Sequence, residues 1–87
     1  MRTDKTDLLD AIVKIKDRRL ADAFLHDVLT PAERKEIELR LKLVKMLMKG
    51  LPQRAIARKC GVSLCKITRG SRELQYGKGS FKTLLSV

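Results

Sequence analysis

Gly61 is the residue that most limits what this chain can become. It separates two short helical patterns, Gln53 to Lys59 and about Leu64 to Leu74. A connection this tight needs a residue with positive φ, which glycine adopts without steric cost. Ala57 is small where the second helix must cross the first, and Ile56, Cys60, Val62 and Ile67 supply an apolar core that would hold the crossing angle. Ser63 can cap the second helix. Small, glycine and apolar positions in this order have the spacing of a helix-turn-helix. An ordinary helical hairpin is the plain alternative, and charge argues against it.

The charge is unevenly spread. Residues 1–30 hold six basic and six acidic side chains, residues 31–50 six and three, and residues 51–87 eight and one. A neutral first half suits a core or a subunit interface, and a basic second half suits a polyanion. Charge alone would also fit a solvated surface or an anionic membrane, and the helix-turn-helix turns the reading toward nucleic acid. No run of about 18 apolar residues offers a membrane span. The N-terminal residues alternate in charge without an apolar stretch, so no export signal is expected and the expected location is cytoplasmic.

Upstream, Leu8, Leu9, Ile12, Val13 and Ile15 recur at helical spacing and predict a helix over about Thr3 to Lys16. Leu20, Ala21, Phe24, Leu25 and Val28 predict a second, over about Arg18 to Leu29. Thr30, Pro31 and Glu33 form a strong helix start: a cap, a residue with preset φ, and a carboxylate that returns a bond to the cap. The third helix follows the stripe Ile37, Leu41, Val44 and Met48 to Gly50, widened by Leu39, Leu43 and Leu47. A helix so broadly apolar, in a chain of 87 residues, is expected to be covered by a second copy as well as by its own chain. Residues from Tyr76 to Gly79 read as a loop, and Ser80 as the cap of a last short helix bearing Phe81, Leu84 and Leu85. The whole is one domain: residues 1–50 a helical dimerisation core, 51–76 the helix-turn-helix, 77–87 a C-terminal loop and short helix.

A helix-turn-helix places the N-terminal part of its second helix in the major groove. Leu64, Cys65, Lys66 and Thr68 are therefore expected to face DNA, with Gln53 and Arg54 at the start of the first helix reaching phosphates or a base edge. Arg58 and Lys59 add unspecific attraction. His26 has no companion ligand, and Cys60 and Cys65 lack zinc spacing, so no metal site is expected. No nucleophile–base pair is evident, so an enzyme is not expected.

Leu29-Thr30-Pro31-Ala32-Glu33-Arg34, Arg40, Leu43-Val44 with Gly50, Gln53-Arg54 and above all Ile67-Thr68-Arg69-Gly70-Ser71 resemble the tryptophan repressor family over roughly residues 29–74. The resemblance implies an all-α fold, a six-helix intertwined homodimer with a helix-turn-helix. It implies repression at a palindromic operator with L-tryptophan as corepressor. It puts Arg40 and Arg69 on the two faces of the indole, Thr30 and Glu73 beside the amino acid, and Gly70 at a close backbone approach. Ser71 and Arg72 join the DNA-contacting set. The chain departs from the family in a shorter turn before Gln53. Lys66 stands where the family has a small hydroxyl residue, Glu73 where it has a serine, and Arg72 where it has an amide. The alternatives are a relative that regulates without tryptophan, and a helical protein- or RNA-binding module using the basic face.

Overall fold

A computed structural model describes residues 5–85. Among the described residues all regular structure is helical: α1 (Lys5–Val13), α2 (Arg18–Val28), α3 (Pro31–Met48), α4 (Gln53–Cys60), α5 (Leu64–Tyr76) and α6 (Ser80–Leu84). The chain divides into two compact units, Met1–Arg34 and Lys35–Val87.

The first unit holds α1, α2 and the opening turn of α3. The expected start of α1 at Thr3 lies outside the described residues. Its end falls at Val13 and not at Lys16, because Ile15 N–H turns back to the Ile12 carbonyl at 3.2 Å and Asp17 is already extended (φ −148°, ψ 173°) as the cap of α2. The Asp17 carboxylate accepts from Leu20 N–H at 2.8 Å, a cap that an aspartate just before an amphipathic run could have signalled. The capping box at α3 is formed: Glu33 N–H donates to Thr30 Oγ1 at 3.1 Å and Thr30 N–H donates to Glu33 Oε1 at 2.8 Å. That backbone donor first, and the Thr30 side chain second, hold the Glu33 carboxyl below its ordinary value. Its contribution to the cap is therefore complete above the ordinary carboxylate range and fades as pH falls through the lowered value. Arg34 pairs with Asp22 of α2 at 2.6 Å. No residue of α2 is buried, and Leu8, Leu9, Ile12, Leu20 and Val28 are exposed. The amphipathic stripes exist, but their apolar sides remain open in this chain.

The second unit holds the rest of α3 with α4, α5 and α6. Leu43, Ile56 and Ile67, one from each of α3, α4 and α5, form its core, with Leu39, Met46, Leu47, Leu51, Ala57, Cys60 and Val62 packed against them. The helix-turn-helix thus rests on α3 through Leu43. Ile37 shares the face of Val44 two turns earlier. It is 39% exposed while Val44 is 1% exposed, so the buried part of the stripe lies in the second half of α3. At Gly61 the chain takes φ 65° and Val62 N–H closes on the Ala57 carbonyl at 3.1 Å, ending α4 as its left-handed cap.

In this unit one cap and two boundaries differ from expectation. Ser63 stands at the N-cap of α5 with extended backbone, but its side chain makes no cap bond, so α5 opens without one. Tyr76 belongs to α5, because Gly77 is the first breaker and its N–H caps the Glu73 carbonyl at 2.8 Å. Gly79 and not Ser80 is the N-cap of α6: its φ of 84° makes the turn that Ser80 would resist, and Ser80 becomes the first helical residue.

Candidate functional site

Within the second unit, α3, α5 and α6 border a cavity of about 420 Å3. Its walls follow from helical spacing. Glu36 and Arg40 lie one turn apart on α3, followed by Leu43 on the same face, and Lys66, Arg69, Gly70 and Glu73 repeat every three or four residues along α5. Leu39, Val44 and Phe81 complete an apolar surface. The volume is in the range of small-molecule pockets, and an apolar lining with a few convergent polar groups is their usual chemistry.

Five charged side chains border this cavity, and they divide into two sets. Lys66 Nζ pairs with Glu36, at 3.2 Å from Oε1 and 3.3 Å from Oε2. Among the described residues, the side chains of Arg40, Arg69 and Glu73 make no hydrogen bond or ion pair. Two guanidiniums and one carboxylate thus remain around an apolar hollow. That set complements a zwitterion with an apolar body: guanidinium for carboxylate, carboxylate for ammonium, and a guanidinium plane against a ring. Gly70 presents bare backbone to the cavity; a β-carbon there would meet Val44 and Leu47 at 3.7 Å, ordinary contact.

The other face of α5 is a shallow hollow lined by Leu64, Cys65, Thr68, Arg69, Arg72 and Glu73. Leu64, Cys65, Thr68 and Arg72, all expected to face DNA, are therefore together and exposed. Lys66 is exposed too but turned to Glu36, toward the cavity. Gln53 is half-buried and bonded to Thr68, whose Oγ1 lies 3.4 Å from Gln53 Oε1, so the first helix braces the second. Arg54 is exposed on α4, and Ser71 is half-buried and lies off the hollow. Arg69 and Glu73 line both the cavity and the hollow.

Of the residues expected at a ligand, Arg40, Arg69, Gly70 and Glu73 thus share one cavity. Thr30 belongs to the first unit, where its hydroxyl and backbone serve the α3 cap. The cavity also includes Glu36 and Phe81, which sequence reasoning did not single out. Glu36 could have been found from its place one turn before Arg40, and Phe81 as the aromatic of the last short helix. Among the described residues, no group of three or more His, Cys, Asp or Glu could hold a metal, and no helix is long and apolar enough to cross a membrane.

The sequence profile of the Trp repressor protein family matches residues 4–87. A Trp operon repressor homolog of Vibrio vulnificus (strain YJ016) is 34% identical over 85 residues, covering 97% of this chain and 83% of the relative. A Trp operon repressor homolog of Chlamydia trachomatis serovar L2 is 36% identical over 80 residues, covering 86% and 85%. Another, from Chlamydia caviae, is 39% identical over 80 residues, covering 91% and 79%. No solved structure matches significantly.

Proposed function

The chain belongs to the Trp repressor family, a family of transcriptional repressors, and from that premise we propose that L-tryptophan switches on its binding to a palindromic DNA operator. The observation that carries this reading is that Arg69 and Glu73 border both the cavity and the outer hollow of α5. A ligand in the cavity therefore acts on the same side chains that flank the DNA-facing surface.

In this mechanism Arg40 and Arg69 enclose the indole and one of them pairs the ligand carboxylate. Glu73 accepts from the ammonium, and Gly70 admits the ring against backbone. The filled cavity holds α5 against α3. Leu64, Cys65, Thr68 and Arg72 then read the major groove, Lys66 stays turned to Glu36, and Gln53, Arg54 and Ser71 hold the backbone. Docking of this kind is general to helix-turn-helix dimers, the Trp repressor itself among the established cases. The ligand favours the DNA-competent state only by binding it more tightly than the other. The repressor works as a cytoplasmic homodimer, residues 1–50 providing the interface, 51–76 the DNA reader and 77–87 the C-terminal segment. Support for the dimer comes from the open apolar sides of α1 and α2 and from a core of four buried side chains among the described residues, small for a chain that must fold alone.

Calorimetric titration with L-tryptophan is expected to show saturable binding. Absence of heat at millimolar ligand, with DNA affinity unmoved, would sink the corepressor reading. Gly70→Ala separates ligand crowding from loss of fold. Alanine exceeds glycine in helix preference by about 1 kcal/mol and the new methyl meets Val44 and Leu47 at normal distance. Its melting temperature is expected to hold or rise while tryptophan affinity falls. Unchanged tryptophan affinity would remove the close approach of the ring from the mechanism.

A further inference from the structure

We propose that Glu36 and Lys66 form a latch that holds the recognition helix α5 against α3 before any ligand binds. Lys66 is the third residue of α5, and its ammonium lies 3.2 and 3.3 Å from the two carboxylate oxygens of Glu36 on α3. Both residues border the ligand cavity. Of the five charged groups there, these two are already satisfied by each other, while Arg40, Arg69 and Glu73 are not. The latch therefore spans the two walls between which a ligand would sit, at the end of α5 opposite Glu73. Glu36 and Lys66 are positioning residues. They act on DNA through the placement of α5, and Lys66 is withdrawn from the hollow that Leu64, Cys65 and Thr68 share. A partly exposed pair contributes little free energy, so the latch sets only part of the switch. It keeps a fraction of ligand-free molecules DNA-competent and leaves a smaller gain for the ligand.

This inference rests on the ligand-switched reading in its DNA arm only. The test uses the full chain and the variant Glu36→Gln, which removes the anion and keeps the side-chain size and the lysine. Without ligand and without DNA, amide hydrogen exchange in α5 is expected to quicken roughly two- to five-fold, with the α4 amides unchanged and the difference lost at 1 M salt. Unchanged α5 exchange would overturn the latch. In the DNA arm, affinity for a palindromic duplex without tryptophan is expected to fall by the same factor, while affinity at saturating tryptophan changes less. A rise in affinity under both conditions would overturn it as well, because Lys66 would then be a DNA contact that Glu36 merely restrains. If the wild-type protein shows no tryptophan dependence while α5 exchange responds to Glu36→Gln, the corepressor reading fails and the latch stands. Charge exchange, Glu36→Lys with Lys66→Glu, is expected to restore slow α5 exchange, and failure to do so would show that the single variant had acted through something other than the pair.

Discussion

Arg40→Ala is expected to weaken tryptophan binding about 10- to 150-fold, the loss that follows when a charged hydrogen-bonding group is removed. Arg40 borders the cavity and not the outer hollow, so ligand-free DNA binding is expected to remain and only the response to tryptophan to vanish. Arg69→Ala is expected to lose more. It borders the cavity and the outer hollow alike, so the ligand response and the ligand-independent attraction to DNA should both fall. Tryptophan calorimetry paired with DNA titration at fixed salt checks both variants. Equal behaviour of the two in the DNA titration would contradict the role of Arg69 as the link between the two surfaces.

Ile67→Ala is expected to cause the largest loss of stability, 2–5 kcal/mol on the usual scale for emptying a core site. Ile67 is 0% exposed and joins α5 to Leu43 of α3 and Ile56 of α4. In a domain of this size that loss lowers Tm by roughly 10–40 °C. Leu64→Ala, three residues earlier on the same helix, is the control: Leu64 is 46% exposed, and such substitutions move stability by about 0.5 kcal/mol or less. Thermal unfolding followed by circular dichroism distinguishes them. A similar Tm for both variants would mean that Ile67 is not the keystone of this unit.

What was legible in the sequence was local. The turn at Gly61, the Thr30–Glu33 cap and the stop at Gly50 each depend on residues within one or two turns, and each formed as expected. The gathering of Arg40, Arg69, Gly70 and Glu73 was legible through resemblance, since nothing in their spacing alone joins α3 to α5. The Glu36–Lys66 pair was not legible, because it joins residues 30 positions apart and depends on how two helices approach. Burial was harder still. The periodicity of α1, α2 and Ile37 marks an apolar face correctly, yet periodicity carries no information on what covers that face, and here Leu8, Leu9, Ile12, Leu20, Val28 and Ile37 stay exposed. At the last helix Ser80 was the better cap by preference, but only Gly79 could take the backbone angle that the turn requires.

The central claim is that tryptophan couples to DNA reading through α5. Its most direct test is the affinity for a palindromic duplex and for a scrambled duplex of equal length, at one salt concentration, with and without saturating L-tryptophan. Allosteric couplings typically span about 5- to 150-fold, and tightening within that range is expected on the palindrome alone. Equal affinities with and without tryptophan, or equal tightening on both duplexes, would contradict it, since unspecific attraction to phosphate does not distinguish the two.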